Sequence, residues 1–213
     1  MTFLDSARTA YDTVAESYHE TLKDVLAETG RAGSVLDRAM LGAFAELVTG
    51  RVADVGCGPG RITGHLAALG LDAFGVDLSP AMVDIARRIH PDLRFEVGSM
   101  TELDLPDGSL GGLVAWYSVI HVPPAEHPGV FAEFHRVLAP GGLLLLGFQV
   151  GDEARHITEA YGHTGLDAMA YRLNVEKVTA DLVGAGFSPH TTLVREPLEE
   201  YEKTPQAYVL VRR

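Results

Sequence analysis

Three glycines and two carboxylates carry the first chemical signal in this chain. The segment DVGCGPGR, residues 54–61, holds Asp54, Gly56, Cys57, Gly58, Gly60 and Arg61. Glycines at every second position let a backbone turn tightly and approach a ligand with no Cβ in the way. A helix opening near Arg61 would aim free N–H groups at that ligand and favour an anionic group. Asp77 follows Gly60 by 17 residues, at the end of the next apolar run. A carboxylate in that place can accept hydrogen bonds from both hydroxyls of a ribose. It could instead cap the helix that opens at Pro80, but Ser79, directly before the proline, is the better cap. Loop and acid together point to a nucleoside-containing ligand. The glycine spacing departs from the dinucleotide pattern G-x-G-x-x-G. No lysine–serine pair of a phosphate-binding loop is present, which argues against a nucleoside triphosphate.

These residues need strands and helices to hold them, and the apolar rhythm supplies both. VADVGC (52–57), DAFGVD (72–77), LRFEVG (93–98), LGGLVAWYSV (110–119) and LLLLGFQ (143–149) are short apolar runs. Helical patterns over 61–69, 80–89 and 125–138 separate them, and the turn Pro140–Gly142 precedes the last. Runs apolar on both faces that alternate with helices predict a parallel sheet covered on two sides. Residues 5–29 and 34–49 read as two further helices, broken by the Gly30–Gly33 stretch. After residue 150 the pattern loosens, and 151–170 reads as an irregular cap. A helix over 174–185, with Asn174 as N-cap, precedes two strands at 190–195 and 206–212. Two strands in succession imply an antiparallel edge. The expectation is one domain over 1–213: helices to residue 50, a ligand-binding core over 51–150, then the cap and last strands.

At this level of detail the chain resembles the class I S-adenosylmethionine-dependent methyltransferases. DVGCGPG is similar to their first motif, VDLSPAMVDIAR (76–87) to their second strand and helix, and VGSMTELDLPDGSL (97–110) to the stretch that cradles adenine. WYSVIHV (116–122), HRVLAPGGLLLL (135–146) and LVGAGF (182–187) continue the likeness in order over roughly residues 50–190. YDTVAESYHE (11–20) resembles the tyrosine-bearing helix that closes over the cofactor in many small members. Tyr11 and Tyr18, seven apart, share one helical face.

The resemblance implies an α/β, Rossmann-like three-layer sandwich with a mostly parallel seven-stranded sheet and an N-terminal helical lid. It also implies S-adenosylmethionine as cofactor and S-adenosylhomocysteine as product. Cofactor contacts are implied for Tyr11, Tyr18, Asp54, Gly56, Cys57, Gly58, Gly60, Arg61, Asp77, Leu78, Met82, Ser99, Met100, Trp116 and Tyr117. Many members carry an acid before the apolar residue that meets adenine. Here that pair is Ser99-Met100.

Methyl transfer from a sulfonium is an in-line displacement, so it needs positioning and exclusion of water rather than a covalent nucleophile. Cys57 therefore reads as a small filler. An acceptor hydroxyl or ammonium can need a base, and His121, just past the fourth strand, is the candidate, with an ordinary pKa of about 6.5. A structural role for His121, capping a helix or bonding a loop carbonyl, stands beside that reading.

What is missing narrows the acceptor. There is no Asp/Asn-Pro-Pro-aromatic motif, no Pro-Cys pair and no acidic cluster after the fourth strand, so the expected acceptor is a small molecule, methylated on oxygen or nitrogen, with no metal. Two other readings stay open: a nicotinamide-dinucleotide oxidoreductase domain and a silent S-adenosylmethionine-binding regulator. The 213 residues include 17 basic and 29 acidic side chains, a net charge of −12. That balance disfavours nucleic acid and anionic membranes as partners. One cysteine excludes an intramolecular disulfide. No apolar run approaches the roughly 20 residues of a membrane span, and no signal-peptide pattern opens the chain. The expectation is a cytoplasmic monomer or homodimer.

Overall fold

Side chains alternate between two faces along each central strand, and this alternation sets the layers. In the computed structural model, which describes residues 2–26 and 32–213, seven strands make one sheet in the order β3-β2-β1-β4-β5-β9-β8. They are β1 (Val52–Val55), β2 (Ala73–Asp77), β3 (Phe95–Val97), β4 (Leu110–Trp116), β5 (Leu138–Gln149), β8 (Ser188–Arg195) and β9 (Gln206–Arg212). The first five run parallel. The one reversed strand is β9, antiparallel to both β5 and β8, so it lies one place in from the edge. The three-layer α/β sandwich with a mostly parallel seven-stranded sheet is therefore observed.

One face of the sheet presents Ala53, Val55, Leu113, Ala115, Leu144, Leu146, Val209 and Val211 to Phe131 and Phe134 of α5 (His127–Val137) and Leu182 of α6 (Val175–Gly184). The opposite face presents Val52, Val114, Trp116, Leu143, Leu145, Tyr208 and Leu210 to α2 (Ala32–Leu47) and α3 (Arg61–Ala68). Helix α4 (Pro80–Ile89) buries Val83 and Ala86 with Phe95, and Met82 and Ile85 with Ala15 of α1 (Phe3–Leu22). Ser79 caps α4 by accepting from the Met82 N–H at 3.1 Å, and Asn174 caps α6 by accepting from the Lys177 N–H at 3.0 Å.

Three expectations need correction. Residues 151–170 are not irregular: β6 (Ala154–Ala160) and β7 (His163–Tyr171) form an antiparallel hairpin. Its turn places Tyr161 at φ 51° and Gly162 at φ 82°, the positive pair that a two-residue hairpin turn requires. Leu166, Ala168 and Ala170 are buried at every second position. Next, α1 ends at Leu22 rather than at residue 29. The proposed break at Gly30–Gly33 lies partly outside the described residues, while Gly33 falls within α2. Finally, α2 is no lid. Met40, Leu41, Phe44 and Val48 recur at helical spacing and are buried in the core beneath the sheet, whereas α1 and the hairpin lie by the carboxyl end of β4. Among the described residues, no helix is long and apolar enough to cross a membrane.

The sheet's tightest approach supplies a test of this packing. A Cβ on Gly111 would stand 1.5 Å from the Thr49 carbonyl oxygen, whereas a Cβ on exposed Gly129 in α5 would meet nothing within 4 Å. Gly111→Ala should cost about 3 kcal/mol, the upper end of ordinary overpacking, and lower Tm by roughly 6–12 °C. Gly129→Ala should raise stability by up to about 1 kcal/mol through helix propensity. Paired thermal melts check both signs.

Candidate active site

The crevice opens where the strand order reverses, between β1 and β4, as in other open α/β sheets. Gly56 follows β1 at φ 77°, and its N–H donates to the Val76 carbonyl at 2.7 Å. A Cβ there would lie 2.2 Å from the Ser118 Cβ, and the Ser118 hydroxyl donates to the Val55 carbonyl at 2.7 Å. Only glycine lets the two strand ends come this close. Gly58 differs. Its φ is 53°, yet a Cβ there would meet only the edge of the Tyr18 ring, at 3.9 Å, so the space beside it is open.

Asp77, at the end of β2, reaches across to this loop. Its Oδ2 accepts the Gly58 N–H at 2.7 Å, and its Oδ1 accepts the Ser79 N–H at 2.9 Å. Burial pushes its pKa up, and these two backbone donors hold it down. Each oxygen keeps a further acceptor position facing the cavity.

Helix α1 closes the crevice. Asp12 Oδ1 accepts from the Ser79 hydroxyl at 2.5 Å and from the Ala81 N–H at 3.2 Å, at the positive N-terminus of α4. Tyr11 and Tyr18 pack edge to face, with ring centroids 5.8 Å apart. The Tyr11 hydroxyl lies 2.6 Å from His121 Nε2, while His121 Nδ1 lies 3.0 Å from the Met169 carbonyl of β7. A carbonyl only accepts, so Nδ1 carries the hydrogen and Nε2 offers its lone pair to the Tyr11 hydroxyl. Burial lowers the His121 pKa below its ordinary 6.5 and raises that of Tyr11, so the pair is neutral at pH 7.

The resulting cavity holds about 750 Å³ of empty space, open mouth included. Its walls bring together Tyr11, Tyr18, Gly56, Gly58, Asp77, Leu78, Met82, Ser99, Met100, Trp116, Tyr117 and His121 from five separate stretches of chain. Four other residues expected there do not line it. The Cys57 side chain packs with Val83, Ala86 and Phe95. Gly60 faces the Phe95 and His90 rings. Asp54 is buried beneath the loop, taking the Thr63 hydroxyl at 2.7 Å on Oδ2, while its Oδ1 has no partner among the described residues. Burial pushes its pKa up to about 7. Arg61 faces an adjoining chamber, with a buried Nη1 that also lacks a partner among the described residues.

Trp116 and Tyr117 stand between the cavity and that chamber. Trp116 is largely a core residue, stacked on Tyr208 at 5.2 Å. The Tyr208 hydroxyl donates to Asp37 and accepts from Arg195 Nε at 3.0 Å, and Arg195 grips Glu202 through two bonds of 2.7 and 2.6 Å. Tyr117 has φ 54°, a strained angle for an aromatic residue, and such strain gathers at functional sites.

Sequence reasoning missed Ser118 and Asp12. Ser118 follows the Trp-Tyr pair directly, a usable signal. Asp12 looks like any acid on a solvated helix face, and only the tertiary dock reveals its role.

Comparison with known proteins fits this geometry. Residues 52–142 match the family described as a methyltransferase domain. An uncharacterised methyltransferase of Mycobacterium tuberculosis is 32% identical over 164 residues, covering 75% of this chain and 61% of that protein. The chain thus spans about three fifths of such curated relatives. In the solved structure of Burkholderia thailandensis 1,6-didemethyltoxoflavin-N1-methyltransferase, with its substrate and S-adenosylhomocysteine bound, the fold superposes at TM-score 0.74 with 19% identity, covering 98% of this chain and 88% of that one. The [4+2]-cyclase SpnF superposes equally well, at TM-score 0.74 and 18% identity over 100% and 97% of the two chains, so the fold by itself names no reaction. On its ordered motifs, its sheet topology and these matches, the chain carries a region similar to the methyltransferase domain over residues 52–142 and resembles the class I S-adenosylmethionine-dependent methyltransferases.

Proposed function

We propose that this protein transfers a methyl group from S-adenosylmethionine to an oxygen or nitrogen of a small-molecule acceptor. The observation that carries the reading is Asp77 braced by the Gly58 and Ser79 N–H groups beside a glycine whose missing Cβ leaves the cavity open. These residues fit the cofactor. Asp77 has acceptor positions for a ribose diol, and Leu78, Met82, Ser99 and Met100 form the wall where an adenine would lie. Tyr18 covers the loop, and the buried Asp54 Oδ1 and Arg61 Nη1, without partners among the described residues, are polar atoms that an amino-acid end could satisfy. When bound, the cofactor supplies an activated methyl group on a sulfonium.

The remaining work falls to the chain. Helix α1 and the tyrosines exclude water. His121 receives a proton from an acceptor hydroxyl at Nε2, the atom that Tyr11 now occupies. The Met169 carbonyl keeps the ring in the tautomer that leaves this nitrogen free of hydrogen.

S-adenosylhomocysteine should bind and raise Tm, since a ligand of the native state adds about 2.7 kcal/mol at a hundredfold excess over Kd. Asp77→Ala should weaken that by ~1.5–3 kcal/mol, the worth of hydrogen bonds to a charged group. Equal thermal shifts in mutant and wild type would refute the ribose assignment.

Gly58→Val should abolish S-adenosylhomocysteine binding in a protein that still folds. Its Cβ has room beside the Tyr18 ring but takes the ligand's space, and at φ 53° the branched side chain also strains the loop. Circular dichroism with calorimetric titration checks both halves, and retained affinity counts against the loop.

His121→Ala should cut kcat by ~10²–10⁴ if the histidine is the base. Because burial lowers its pKa, wild-type kcat should climb with pH through an inflection below 6.5 and lie flat above it. A changed KM with constant kcat and no inflection would leave His121 a positioning residue.

A further inference from the structure

Beyond Trp116 and Tyr117 lies a second, larger space, and its charge is opposite to that of the protein. The chamber holds about 1610 Å³ of empty space, mouth included, and is lined by Arg61, Arg155, Arg172 and Lys203, with Asp37 and Glu202 as the only acids on its walls among the described residues. Both acids are already engaged: Asp37 takes the Tyr208 hydroxyl, and Glu202 takes the Arg195 fork. A chain of net charge −12 has thus gathered a surplus of cations in one concave place.

Arg155 is the central group. It stands on β6, and its guanidinium makes no hydrogen bond or ion pair among the described residues. It lines both this chamber and an adjoining pocket of about 740 Å³ beneath the hairpin, where Ile157, Leu166, Ala168 and Ala170 supply an apolar wall. Arg172 stands close by, 18% exposed, with a loose 3.5 Å contact to the exposed Glu153. Tyr11 borders the cofactor cavity, the chamber and the pocket alike, and His121 borders the cavity and the pocket. A molecule held by Arg155 is therefore beside the site of transfer.

We propose that the acceptor is a planar carboxylic acid: its carboxylate pairs with the Arg155 guanidinium, and its flat body packs among the Tyr11, Trp116 and Tyr161 rings and the apolar hairpin wall. A guanidinium fork matches a carboxylate with two parallel hydrogen bonds, and aromatic faces suit a flat body. This assignment rests on the methyltransferase reading for the acceptor role, but the binding site is testable without turnover.

The test is calorimetric titration of the protein saturated with S-adenosylhomocysteine, using 4-hydroxybenzoate and 2-naphthoate against their uncharged amides. At least one acid should bind saturably, at one per chain and roughly tenfold or more tighter than its amide. Arg155→Gln should abolish that preference while S-adenosylhomocysteine affinity stays unchanged, and Arg155→Lys should restore part of it. Acids that bind no better than amides, or a preference that survives Arg155→Gln, would overturn the proposal. If S-adenosylhomocysteine itself fails to bind, the cofactor reading falls. The same acid–amide comparison on the unliganded protein then still decides the anion site.

Discussion

A buried carboxylate is costly unless its charge is met, and Asp77 is such a group. Burial favours its proton, so the site works only because two backbone N–H groups are aimed at it. Those donors come from different elements, Gly58 of the loop after β1 and Ser79 at the head of α4. Satisfying the charge therefore ties the glycine loop to the second strand and its helix. Much else follows from this one tie. Gly58 must face the carboxylate, which leaves its open side to the cavity. Ser79 must stay at the head of α4, where its hydroxyl is left to hold the lid.

The lid uses the same helix end a second time. Asp12 meets the N-terminus of α4 through the Ser79 hydroxyl and the Ala81 N–H, so the residue that braces Asp77 also anchors α1. The structure thus chains ligand acid, capping serine and lid acid into one hydrogen-bonded line. On the opposite side, the Met169 carbonyl of β7 orients His121, and His121 in turn receives Tyr11. Serine and histidine each link another element to α1, which is how its twenty residues are held over the crevice.

The parallel core was legible because its strands are buried on both faces and read as unbroken apolar runs: VADV, AFGVD and the LLLL of β5 could be little else. Pro80 after Ser79 and Asn174 before Val175 marked two helix starts to the residue. The hairpin was hidden for a physical reason. Only one of its faces is covered, by small residues such as Ala168 and Ala170, so its alternation is faint beside that of the core. The glycine loop announced its chemistry, but spacing could not show that Cys57 turns toward α4 while Gly58 faces the opening, because neighbouring side chains in a tight turn point apart. Arg155 escaped notice altogether, since a lone arginine on an exposed strand carries no local signal. Its meaning comes from the chamber it borders.

The forces that hold α1 closed are of unequal strength. The Glu16–Arg88 pair is well exposed on both sides, so water and salt screen it and it adds little. The Tyr11–His121 bond is neutral, and such bonds add about 1 kcal/mol net. Asp12 makes the strongest contact, a charged acceptor at a helix N-terminus. Under the proposed reaction such a lid would have to open for each turnover, and contacts of this size suit that task. Small apolar residues pack beside these polar contacts: Ala10, Val14 and Ala15 are buried, Ala15 against Met82 and Ile85 of α4. A seam of large apolar side chains over twenty residues would bury far more surface than these. Tyr11 joins both kinds of contact at a single point, since its ring lines the cavity while its hydroxyl is satisfied by His121.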